Sequence, residues 1–163
     1  MTNESGDGRT QMSHRELSVL LRVVDVVAVV ACAVVAALVI PGVEARGVVP
    51  RGSAVVFALG VAPLMVVAVV AWRLFAAIGR GEVFVAANSR RLRAMAYASA
   101  ADAAVWVLAL VTYLAVAEVV VFSVVASLSV ALIFAVSLAV VSAALSLFTA
   151  NAADIKSEND LVV

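Results

Sequence analysis

Cysteine and histidine are almost missing from this chain: Cys32 and His14 are the single examples among 163 residues, which excludes a disulfide framework and a clustered metal site. Charge is thin as well, 13% of the residues, with eleven basic groups balanced by eleven acidic ones. A net charge of zero removes the electrostatic case for direct nucleic-acid binding along the chain. No glycine-rich phosphate loop, nucleophile elbow, paired histidines or zinc spacing occurs, so no catalytic constellation and no cofactor are expected. Proline and glycine are both lacking from Glu82 to the end, which permits long uninterrupted helices there. What the chain has in excess is apolar surface. At 66% hydrophobic residues and a mean hydropathy of +1.18, it cannot be a water-soluble globule.

A helix needs about 20 apolar residues to cross roughly 30 Å of hydrocarbon, and four segments qualify. The first runs from about Val23 to Val43 with only Asp25 inside it, and the second is free of charge from Gly52 to Trp72. Ala94 to Ala117 contains only Asp102, and the fourth lies within the uncharged stretch from Val119 to Ala153. That last stretch exceeds one crossing, so part of it must be loop, tilt or extension beyond the membrane. A β-barrel is excluded because runs such as Ala54 to Val70 are apolar at both parities, whereas a membrane strand alternates. Arg15 and Arg22 ahead of an apolar run resemble a secretory signal, but the run is longer than such signals carry. Val29-Val30-Ala31-Cys32 loosely resembles a lipoprotein box, yet eight apolar residues follow Cys32; the thiol reads as a small apolar filler inside a span.

The expected fold is therefore all-α, a polytopic membrane protein built as an up-and-down bundle of four transmembrane helices, at about 19–42, 53–78, 94–117 and 122–150. A polar leader over 1–15 is expected to be disordered. Nine basic residues fall on the side of the termini and the 79–93 loop, and two, Arg46 and Arg51, on the other. By the positive-inside rule both termini, that loop and the tail over 151–163 are expected in the cytosol. The abundance of arginine over lysine, ten to one, fits a high-GC bacterial genome.

Gly81-Glu82-Val83-Phe84, followed by Asn88 and Arg90-Arg91-Leu92-Arg93, and the closing Glu158-Asn159-Asp160-Leu161 together resemble the two signatures of a bacterial four-span membrane family. That family is known only as a domain of unknown function, number twenty-nine seventy-five. Its usual central pattern reads G-E-P-F-T-E-E-N-V-R-R-L-R and its end reads E-N-D-L-T-V. Here Val83 replaces the proline, Val85-Ala86-Ala87 replaces the capping threonine and glutamates, and Val162 replaces the last threonine, so helix capping by the loop is in question. The resemblance implies an inner-membrane protein of unassigned biochemistry, whose relatives are often encoded beside a small helix-turn-helix protein.

Ionisable groups inside a bilayer are costly and become candidates by default. Arg22, Asp25, Arg73 and Asp102 all map to the cytosolic third of the spans. They are expected either to neutralise one another as a packing cluster or to form a proton- or ion-linked site. In the central loop, Phe84, Leu92 and Met95 are expected to give apolar contacts while Arg90, Arg91 and Arg93 meet anionic lipid or a protein partner. The acidic tail, with Asp154, Glu158 and Asp160, reaches the same side and can pair with the arginines. Small residues every four positions, Ser123, Ser127, Ala131, Ala135, Ala139 and Ala143, make a stripe suited to helix packing, within this chain or with a second copy. Three functions follow: a non-enzymatic membrane component that docks a small cytosolic regulator, a transporter, channel or immunity-type protein acting as a homo-oligomer, and an intramembrane enzyme. The last lacks any residues to carry it.

Overall fold

A computed structural model describes residues 14–82 and 85–160, with side chains described over 15–82 and 85–155. Residues 1–13 of the expected leader, Phe84 and Leu161 lie outside the described residues, as do the side chains of Glu158, Asn159 and Asp160. The chain is all helical over the described residues: α1 (His14–Val34), a π-helical turn (Val35–Val39), α2 (Ile40–Ala45), α3 (Ser53–Gly79), α4 (Ala86–Val116) and α5 (Phe122–Asp160). Helices are what a valine- and alanine-rich chain forms in lipid, because only a helix satisfies its own backbone there. Four rods are long and apolar enough to cross a membrane: Arg15–Ala45, Ser53–Gly79, Ala86–Val116 and Phe122–Ile155. The chain is a multi-pass membrane protein.

The first rod does not end at Pro41-Gly42 as their helix-breaking chemistry suggests; it continues to Ala45. Proline has no N–H to donate, and its ring crowds the carbonyl four residues earlier. The ladder accommodates this by widening to π spacing just before it, where the Ile40 N–H bonds to the Val35 carbonyl. The turn that follows is closed by Glu44, whose carboxylate accepts from the Gly52 N–H at 2.7 Å and the Ala54 N–H at 3.2 Å. Those are free donors at the start of α3, and an acid there also complements the helix dipole.

The rods run up and down, each packed on its neighbour in sequence: α1 on α3, α3 on α4, and α4 most extensively on α5. Among the described residues the backbone of α1 approaches neither α4 nor α5. The core lies in the α3–α4–α5 part, where Val67 and Ala71 meet Leu92 and Met95, with Leu138 of α5 packed against them. Inward positions on α4 fall at 88, 92, 95, 99, 102, 106 and 113, the alternating three- and four-residue spacing of helices that pack at a shallow angle.

The fourth uncharged stretch resolves into one helix. At 39 residues α5 is about 58 Å long, nearly twice the hydrocarbon thickness. Two contacts pin its antiparallel register on α4: Ser146 against Ser89 at one end and the Val121 N–H donating to the Tyr113 hydroxyl at the other. Residues past about 149 therefore project beyond the first residue of α4, by about 16 Å.

Candidate functional site

Two places concentrate polar side chains: the arginine-rich end, where α3 turns into α4, and the interior of the α3–α4–α5 bundle. At the turn, Gly81 ends α3. Its N–H bonds to the Ile78 carbonyl at 2.9 Å, the Glu82 N–H bonds to Ala77 at 3.0 Å, and its φ is +76°. This is the Schellman arrangement, which needs a left-handed residue and so favours glycine. Asn88, 1% exposed, then ties the turn to α4: its amide donates to the Glu82 carbonyl at 2.6 Å, and its side-chain oxygen accepts from Arg91 Nη1 at 2.7 Å. Val85 stands at the N-terminus of α4 without a side-chain cap. Arg80 and Glu82 form an exposed ion pair at 2.9 Å, a geometry of small energetic weight.

The three arginines of α4 are thus not equivalent. Arg91 is half-buried and engaged with Asn88, whereas Arg90 and Arg93 are exposed. Leu92 and Met95, expected to give apolar contacts, make them in the core against α3. They occupy inward positions of α4, and for Leu92 a loop reading of residues 79–93 hides this.

In the interior, α4 and α5 hold each other by a reciprocal clamp. Ser89 Oγ donates to the Ser146 carbonyl and Ser146 Oγ donates to the Ser89 carbonyl, each at 3.0 Å. Further in, Ser99 and Asp102 are 0% and 1% exposed, and Ser99 Oγ and Asp102 Oδ1 have no partner. Trp106, one turn on, is the neighbouring donor to the carboxyl. Its indole is itself buried against Phe57, edge to face at 6.0 Å, and against Gly60. A Cβ on Gly60 would lie 2.6 Å from the Trp106 ring.

Arg22, Asp25, Arg73 and Asp102 do not form one cluster. Arg22 lies over the Trp72 ring, 5.0 Å from its centroid, Asp25 is only partly covered and Arg73 is exposed. Among the described residues no ion pair joins any of the four. The reason is placement: α1 packs only on α3, while α4 turns Asp102 toward α3 and α5. The small-residue stripe of α5 is also divided. Ala135 is fully buried, Ala131 and Ala139 are partly covered, and Ser127 is exposed with its hydroxyl bonded to the Ser123 carbonyl. A strict four-residue repeat drifts about 40° around a helix at each step, so it cannot stay on one contact face. The face in use runs through Ala135, Leu138, Ser142 and Ser146.

Ser89, Ser99, Ser142 and Ser146 were not singled out by sequence reasoning. The signal for Ser89 and Ser99 is the three-and-four spacing of polar and large residues along α4; Ser142 and Ser146 are four apart on α5. Among the described residues no three His, Cys, Asp or Glu side chains converge as metal ligands. A family model described as "Protein of unknown function (DUF2975)" matches residues 35–163. No curated protein and no solved structure matches the chain.

Proposed function

The chain belongs to the DUF2975 family of proteins of unknown function, and from that premise we propose that it is a non-enzymatic component of the bacterial inner membrane that docks a cytosolic protein at its arginine-rich end. The single observation that carries this reading is the division of labour in the turn. Gly81, Asn88 and Arg91 fix its shape, while Arg90 and Arg93 stand exposed beside a helix that projects past the bundle. A rigid platform with unengaged cations favours an acidic protein surface, such as that of a small helix-turn-helix regulator, and gives orientation to the encounter. The nine-to-two distribution of basic residues supports placing this end, with both termini, in the cytoplasm.

The test is a cross-linked pull-down from native membranes comparing wild type with Arg90→Ala/Arg93→Ala, a pair that spares Arg91 and hence the turn. A soluble regulator captured by wild type and lost from an equally inserted variant supports docking. Recovery of only lipid and further copies of the chain from both proteins makes the loop a membrane anchor. A second reading is a small transporter, channel or immunity-type protein acting as a homo-oligomer; its transporter or channel form draws on a separate observation, the buried, unpartnered Ser99 and Asp102.

A further inference from the structure

Asp102 lies near the middle of α4, about 24 Å from Ala86, about 21 Å from Val116 and about 14 Å from Arg93 along the axis. It is enclosed on every side, at 1% exposure, and Ser99 stands one turn away on the same face at 0%. Neither neighbouring helix brings a counter-charge to that level. The one charged residue of α3, Arg73, is exposed near the arginine-rich end, α5 has none before Asp154, and α1 does not reach α4. Across the α4–α5 interface the level is occupied by Ala135, itself fully buried, consistent with the register set by Ser89–Ser146 and Tyr113–Val121. A buried carboxylate without a cation is among the costliest groups a protein interior can hold, and the cost is relieved by a bound positive charge. Two oxygens, Ser99 Oγ and Asp102 Oδ1, are left without any partner here.

We propose that Ser99 and Asp102 form the seat of a monovalent cation, a proton or an alkali metal ion, inside the bundle. Both donors are hard oxygens, and one carboxylate balances one positive charge; a divalent ion would leave a net charge in the membrane interior. Toward the arginine-rich end the seat is closed by the apolar core of Met95, Leu92 and Leu138, beyond which Ser142, Ser146 and Ser89 form a separate buried polar group. Ionisable residues inside a bundle commonly mark ion paths. The site is independent of protein docking, which uses a different surface.

The test uses the full chain in detergent and follows its melting midpoint along two axes: sodium replacing choline at constant ionic strength and pH, and pH at constant choline. A ligand that binds the folded state raises the midpoint with its concentration. Wild type should respond to sodium if the seat holds an alkali ion, or be stabilised by acid relative to Asp102→Asn if it holds a proton; the asparagine variant should lose the response. Ser99→Ala should keep the response but need about tenfold more of the same cation, the factor that one lost interaction of ordinary hydrogen-bond strength represents. Wild type and Asp102→Asn moving in parallel on both axes would overturn the proposal. Should the asparagine variant not fold, Ser99→Ala responding at the wild-type concentration would overturn it instead.

Discussion

The two edges of the helix row are built on different terms. None of the membrane-crossing window of α1 is buried and only 6% of that of α5, but α5 packs on α4, a third of whose window is buried. Apolar side chains such as Val23, Val27 and Val30 stand exposed around α1, and its described polar links to α3 are the Ser18 hydroxyl on the Phe75 carbonyl and Arg22 over Trp72. The α4–α5 part, by contrast, buries serines and Ala135, with hydroxyls exchanged in both directions. In lipid, apolar surface gives helices no reason to prefer each other over acyl chains; close packing of small residues and interhelical hydrogen bonds supply the preference. The comparison therefore separates a specified core from a helix held at its margin.

Two substitutions to leucine, one in the α3–α4 core and one on α1, sharpen the contrast. Gly60→Leu drives a side chain into the Trp106 ring, where even a Cβ would lie at 2.6 Å, and should cost about 3 kcal/mol. Ala28→Leu on the exposed side of α1 should stay within about 0.5 kcal/mol of wild type. Reversible unfolding in mixed detergent and SDS measures both, and equal costs would erase the distinction. Next in size is Asn88→Ala, which strands the Glu82 carbonyl and releases Arg91; the loss should be about 2 kcal/mol, with faster proteolysis at the turn. For the Ser89–Ser146 clamp, a double-mutant cycle to alanine should give a coupling of about 1 kcal/mol, the upper part of the range for such bonds in membranes. A coupling near zero would mean that small size, and not the hydroxyls, holds α4 to α5.

The fold was legible because hydropathy, charge spacing and the scarcity of breakers all report on the bilayer, which constrains every residue of a span in the same way. The candidate sites were only partly so. Gly81, Asn88 and Arg91 stand out through the resemblance, but nothing in their spacing says that two of them serve the third; that follows from the Schellman turn and the hydrogen bond from Arg91 to Asn88. Asp102 announces itself as a charge in an apolar run, whereas Ser99 is one of many serines until helix packing selects its face. Grouping Arg22, Asp25, Arg73 and Asp102 assumed that residues at one depth meet. Depth is a property of sequence position, but azimuth depends on which helices are neighbours, and α1 has only α3. The α5 stripe is buried within the chain only at Ala135, because period four and period three and a half diverge within two turns.

The smallest expected effect lies at the α1 margin and tests the comparison from its weak side. Ser18 is 5% exposed and donates to the Phe75 carbonyl at 2.7 Å, a shorter bond than either half of the serine clamp. That carbonyl, however, already accepts within the α3 ladder, four residues before Gly79. Removing the hydroxyl by Ser18→Ala strands no buried group, so the loss should fall below about 0.5 kcal/mol. Gly79→Ala works differently, because its Cβ would meet Ser18 Oγ at 2.9 Å and Ser18 Cβ at 3.1 Å. It should loosen α1 from α3 while leaving the α4–α5 interface intact, read as increased cross-linking reach between cysteines placed on α1 and α3. If Gly79→Ala instead destabilises the whole bundle as Gly60→Leu does, α1 is part of the core's cooperative unit, and the boundary drawn between the two edges does not exist.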